Sequence, residues 1–189
     1  MNLEKWFAKP IWFDDLNLNL EPIKLKCLDL RDSGFENRIL SNSGGWQSND
    51  IKLEEYSEFI EIKNIIDSKL VEVSSDIGQN FNCVLDNCWV NINEKGNYNR
   101  KHIHPNSTLS GTIYISVDDH CGRIRFHDYS LTEHYPYTDI SSPLFYKDVS
   151  YSPRNGLILI FPAWLHHEVE ISNSDESRIS ISFNIRQQN

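Results

Sequence analysis

The chain has no uninterrupted apolar run approaching the roughly 18 residues of a membrane-spanning helix, so no membrane partner is expected. Its opening stretch, MNLEKWFAKPIWFDDL, has no basic segment leading into an apolar run and a small-residue cleavage site. A secretory leader is therefore not expected. Cysteine is scarce. Cys27, Cys83, Cys88 and Cys121 fit no common zinc spacing and are too few for a disulfide scaffold. Positive charge is also in deficit, with 18 Lys and Arg against 27 Asp and Glu, a net charge of −9 and a pI near 5.2. An acidic surface has no long-range attraction for phosphate backbones or anionic lipids, so nucleic acid is not an expected partner. Internal repeats and low-complexity linkers are absent as well. These absences predict a soluble cytoplasmic protein with reduced cysteines.

What is present is a globular composition. The chain has 189 residues, of which 39% are hydrophobic and 12% aromatic, enough for one buried core. Residues 1–50 read as an irregular extension packed on the rest, punctuated by Pro10, Pro22 and Gly44-Gly45, with a short strand at Ile11-Trp12-Phe13. Over residues 51–80, Phe59, Ile62, Ile66, Leu70, Val73 and Ile77 recur every three or four positions. That period predicts one or two amphipathic helices ending at Gly78. Residues 81–189 turn strand-like, with expected strands at 82–92, 110–117, 123–127, 145–152, 156–162, 167–171 and 178–185. In Arg178-Ile179-Ser180-Ile181-Ser182-Phe183-Asn184-Ile185 every second residue is apolar, the pattern of a strand with two unlike faces. The spacing predicts a mainly β antiparallel barrel in a single domain, with one or two helices outside.

Candidate chemistry concentrates in histidine. In the extended stretch around Asn99-Arg100-Lys101-His102-Ile103-His104-Pro105, residues two apart share a face, so His102 and His104 project together. Two neutral imidazoles so placed are suited to a divalent transition metal. Downstream, Gly156 opens an apolar run that breaks at Pro162 and delivers His166 and His167. Either of these could turn inward. Arg178 follows His167 by eleven residues and shares a face with Ser180, Ser182 and Asn184. That face is either solvated or lines the barrel; if it lines the barrel, the guanidinium is a site for a carboxylate.

These pieces carry a resemblance. The order of histidines and arginine on a late antiparallel barrel resembles the iron(II)- and 2-oxoglutarate-dependent oxygenases. More narrowly, the chain is similar to a bacterial and phage group of 2-oxoglutarate–iron(II) oxygenases with a prolyl-hydroxylase-like double-stranded β-helix, a jelly-roll, cupin-like fold. The matching segments are Ser43–Ser48, Cys88–Asn91, Asn99–Pro105, Ser110–Tyr114, Gly122–Phe126, Gly156–Leu165 with His167, and Arg178–Asn184. Together they span most of residues 40–185.

The resemblance implies His102 and His167 as iron ligands, the F-P-x-W-L-x-H pattern favouring His167 over His166. It implies His104 as the third ligand, where the wider superfamily has aspartate or glutamate. Asp118, Asp119 and Asp128 are the carboxylates that would otherwise serve. Arg178 would grip the distal carboxylate of 2-oxoglutarate, with Ser180, Tyr114 and Asn99 as further co-substrate contacts. The implied cofactors are Fe(II) and 2-oxoglutarate as co-substrate, and the implied partners are O2 and an unknown protein or small-molecule substrate. The implied reaction is a hydroxylation that releases succinate and CO2. The tyrosine- and proline-rich stretch 129–155 would be a lid or a plain surface loop, and the oligomeric state stays open. Two other readings compete. One is a cupin-type three-histidine metalloenzyme that does not use 2-oxoglutarate, in which Arg178 has no role. The other is a non-catalytic β-barrel binding module.

Overall fold

Alternation along the last strand decides how the molecule is layered. In the computed structural model, which describes residues 8–78, 81–129 and 146–188, this strand is β11 (Arg178–Gln187), and it sits between β4 (Cys83–Asn93) and β6 (Leu109–Ser116). Its odd-numbered residues Ile179, Ile181, Phe183 and Ile185 are buried in one apolar cluster together with the helices. Its even-numbered residues Arg178, Ser180, Ser182 and Asn184 line a cavity on the other face.

Six strands complete this sheet in the order β1-β9-β6-β11-β4-β3, with β1 at Trp12–Asp15, β3 at Trp46–Gln47 and β9 at Leu157–Pro162. The second sheet runs β2-β5-β10-β7-β8, with β2 at Asn42–Ser43, β5 at Tyr98–His102, β7 at Ile124–His127, β8 at Asp148–Tyr151 and β10 at His167–Val169. Every pairing is antiparallel. The two sheets form the double-stranded β-helix that the resemblance implies.

Two helices cover the outer face of the larger sheet. In α2 (Ile60–Ile77), Ile62, Ile66, Leu70 and Val73 are buried at helical spacing. Each such side chain contributes roughly 1.5–3 kcal/mol on burial. The helix begins later than its periodicity predicts, because Leu53–Glu55 and Ser57–Phe59 form two 3-10 turns before it. Gly78 ends it with φ at 135°, in the region glycine adopts without strain.

The stretch expected to be irregular contains α1 (Leu20–Asp32), whose Ile23, Cys27 and Leu30 face the same core. Pro22 reads as punctuation in the sequence, yet it lies in the first turn, where a helix needs no N–H donor. The expected strand over 167–171 is only three residues long, and that over 145–152 is formed over 148–151. Residues 130–145, most of the stretch read as a lid or surface loop, lie outside the described residues.

Gly111 in β6 marks a tight point between strands. A Cβ there would press on the Phe183 ring and lie 2.7 Å from the Leu159 carbonyl oxygen. Gly111→Ala is therefore expected to destabilise the barrel by about 1–3 kcal/mol, read as a lowered urea midpoint with an unchanged slope.

Candidate metal centre and active-site cavity

The smaller sheet brings two histidines directly opposite each other. His167, at the start of β10, is the cross-strand partner of His102, at the end of β5. Two residues further along β10, Val169 pairs with Asn99, so β5 spends three residues where β10 spends two. This bulge turns both Asn99 and His102 inward. His104 lies two residues beyond β5 and is tethered by its backbone N–H, which donates to the Ala163 carbonyl at 2.8 Å. The loop from β9 into β10 thereby holds His104 against the strand that carries His167.

The three imidazoles converge. Ring centroids are 4.3 Å apart for His102 and His167, and 5.1 Å for each of the other two pairs. One ring nitrogen from each lies within 4.8 Å of the others. His102 Nδ1–H donates to the Arg100 carbonyl at 2.7 Å, and His167 Nδ1–H to the Leu165 carbonyl at 2.8 Å. A carbonyl can only accept, so these contacts fix the tautomers and leave each Nε2 lone pair free. His104 Nε2 stands 3.2 Å from His167 Nε2. Two nitrogens bound at right angles about 2.1 Å from one cation are about 3 Å apart. The donor set fits an open, facial three-nitrogen site for a divalent transition metal.

Burial keeps the cluster uncharged. Desolvation lowers the pKa of His102, takes His104 down to about 3, and takes His167 well below the ordinary imidazole value; the neighbouring rings add to it for the last two. A group whose folded pKa is depressed gives stability that is fully present above its unfolded value, about 6.5 here, and is lost as pH falls. The metal-free protein is thus expected to lose stability progressively between about pH 6.5 and pH 3, with proton uptake on unfolding. Melting curves across that range check this, and a flat profile would contradict it.

The remaining ligand candidates stand apart. His166 turns to Tyr129, with ring centroids 4.7 Å apart. Asp118 accepts from Ser174 and from the His120 backbone, and Asp128 pairs with Lys9. Among the described residues, neither these carboxylates nor Asp119, nor any of the four free, buried cysteines, joins the metal-ligating group.

The cluster opens into a cavity of about 540 Å³. Its floor is the polar face of the larger sheet: Arg178, Ser180, Ser182 and Asn184 on β11, with Ser110 and Thr112 on β6. Arg178 is 3% exposed, and its Nε has no hydrogen-bond partner. Tyr114 lies beneath it, the guanidinium carbon 5.1 Å from the ring centroid. The contact is with the ring face, and the buried phenol oxygen also lacks a partner. Burial pushes this phenol's pKa up against the opposing pull of the Arg178 charge. Ser180 and Asn99 border the cavity, Asn99 donating to Ser41 Oγ at 3.2 Å. Trp89 and Phe161 flank His104 at 5.8 and 6.5 Å. Arg38 and Asn87 also line this cavity, and no local spacing in the sequence marks either. A larger groove of about 800 Å³ runs between α2 and β4, but none of the histidines borders it.

Residues 87–184 match the family described as "Putative 2OG-Fe(II) oxygenase", where 2OG is 2-oxoglutarate. The chain belongs to this family of 2-oxoglutarate–iron(II) oxygenases. The oxygenase has the fold of solved prolyl hydroxylases. It matches a Pseudomonas putida prolyl-4-hydroxylase with a TM-score of 0.71 at 13% identity, covering 96% of this chain and 95% of that one. It also matches a Trichoplax adhaerens prolyl hydroxylase solved with a hypoxia inducible factor peptide fragment (TM-score 0.69, 18% identity, 93% and 83% covered). A third match is the viral collagen prolyl hydroxylase of Paramecium Bursaria Chlorella virus-1 in its 2-oxoglutarate complex (TM-score 0.60, 14% identity, 93% and 94% covered). Identities this low speak for the fold alone. No curated protein matches the sequence. The oxygenase is thus an oxidoreductase by family. With His104 in the cluster, its three candidate donors are all neutral imidazoles.

Proposed function

We propose that this oxygenase uses iron(II) and 2-oxoglutarate to hydroxylate a protein side chain or a small metabolite, releasing succinate and CO2. One observation carries the reading. A three-imidazole cluster and a buried guanidinium whose Nε is unpartnered face the same cavity. A cupin-type metalloenzyme without a keto diacid leaves Arg178 unexplained, and a non-catalytic module leaves both features unexplained.

His102, His104 and His167 hold the metal through Nε2, and the Arg100 and Leu165 carbonyls keep the Nδ1 protons of His102 and His167 away from it. Arg178 Nε–H and the Tyr114 hydroxyl receive the distal carboxylate, where each gains the acceptor it lacks. Ser180, the next inward residue on β11, offers a hydroxyl beside them. Trp89 and Phe161 crowd His104 and exclude water from that side. When bound, the metal and keto acid supply the oxidation: 2-oxoglutarate, O2 and a C–H bond become succinate, CO2 and a C–OH. The protein's contribution is orientation and a dry, charge-matched cavity.

The test is succinate release by the purified, iron-loaded protein, with and without candidate substrates. Succinate that requires iron and rises with a substrate supports the reading. Oxidation of a substrate that proceeds equally without 2-oxoglutarate would overturn it.

A further inference from the structure

Beyond Trp89, the cavity wall carries three buried polar atoms without a protein partner: Arg38 Nε, Asn87 Oδ1 and Asn184 Oδ1. All three residues line the cavity. Asp50 organises two of them, accepting from Arg38 Nη2 at 2.7 Å and from Asn87 Nδ2 at 3.2 Å. Its charge fixes the Asn87 amide with nitrogen toward Asp50 and oxygen away. Asn184 is the cross-strand partner of Asn87, so the two side chains stand side by side on the inward face. The Arg38 guanidinium carbon lies 5.4 Å from the centroid of the Trp89 ring, which also lies 5.8 Å from the His104 ring. The set is therefore one indole away from the imidazole cluster.

Buried polar atoms left unpaired are costly, and each asks for an explanation. Here they form a pattern: one cationic N–H donor beside two amide oxygens that can only accept. The charged residues of the described cavity lining are Arg38, Arg100, Lys101 and Arg178, with no carboxylate among them, although the chain as a whole carries −9. Lys101 lies over the Tyr129 ring, and Arg178 belongs to the co-substrate end. What complements the remaining wall is an anionic acceptor next to N–H donors.

We propose that Arg38, Asn87 and Asn184 form the primary-substrate subsite and recognise an amino-acid unit. Arg38 takes its carboxylate, and the two amide oxygens take the N–H groups of the adjoining nitrogen. This rests on the oxygenase reading, since it places the substrate beside the proposed metal. The same chemistry comes from a free amino acid or from the C-terminal residue of a peptide.

The full chain is loaded with zinc(II) and 2-oxoglutarate, a complex that does not turn over. It is probed by saturation-transfer NMR with the twenty amino acids as free acids, N-acetylated acids and C-terminal amides. At least one free or N-acetylated acid is expected to bind, with its amide at least about tenfold weaker, the loss of one charge-assisted contact. Binding of the free acid alone identifies a free amino acid; binding of the N-acetylated acid as well identifies a peptide C-terminus. Arg38→Met and Asn184→Leu should each weaken the bound probe at least about tenfold while zinc and 2-oxoglutarate still bind. Asn184→Leu keeps the result interpretable if loss of the Asp50 pair unfolds Arg38→Met. Amides that bind as well as acids, variants that bind as well as the parent, or no probe bound to a zinc- and 2-oxoglutarate-loaded protein would each overturn the proposal. Failure of the parent chain to take up zinc or 2-oxoglutarate would count against the oxygenase reading instead.

Discussion

Replacing His167 with alanine is expected to strip the protein of its metal. His167 is 4% exposed and its ring lies 4.3 Å from that of His102 and 5.1 Å from that of His104, with Nε2 3.2 Å from His104 Nε2. In a neutral three-nitrogen set each imidazole is one of three protein donors, and no described carboxylate stands near enough to replace one. Changes to groups that merely orient a ligand cost about 10- to 100-fold in metal affinity. Loss of a ligand should exceed that, so the variant should come through dialysis without iron or zinc. His166→Ala is the matched control. Its ring packs on Tyr129 away from the cluster, and it should retain the metal. Equal metal content in both variants would remove His167 from the site.

Arg178→Met is expected to separate metal binding from co-substrate binding. Charge-assisted hydrogen bonds contribute about 1.5–3 kcal/mol each. Losing the guanidinium should therefore weaken 2-oxoglutarate by roughly 10- to 100-fold while metal content stays unchanged. The melting temperature of the ligand-free protein should hold or rise, because a buried cation without an acidic partner opposes folding. No ion pair to Arg178 exists among the described residues, and its Nε is unpaired. A parallel loss of metal, or a large fall in melting temperature, would mean that Arg178 serves the fold.

Much of this was legible because strand alternation is a local signal. The Arg178–Ile185 pattern correctly separates two faces, but alternation alone does not say which face is inside. In a helix-covered barrel the apolar face packs outward on α1 and α2, and the polar face lines the cavity. The His102-x-His104 pair is likewise a local signal, although His104 lies beyond β5 and is held by the Ala163 carbonyl. Choosing between His166 and His167 needed the resemblance, since the two are adjacent where the same strand begins. α1 went unread because Pro22 hides in a first turn. Asn99 faces inward through a bulge that no sequence spacing reveals. Arg38 reaches the cavity from the segment between α1 and β2, held there by Asp50 and Trp89. Both partners are distant in sequence, so nothing nearby announces it.

The account depends most on a keto diacid binding to a metal held by His102, His104 and His167. Anaerobic titration of 2-oxoglutarate into the iron(II)-loaded protein tests this directly. A weak visible charge-transfer band should grow to saturation in the parent chain, and Arg178→Met should need far more keto acid to reach it. Bound iron with no band at any concentration would contradict the account.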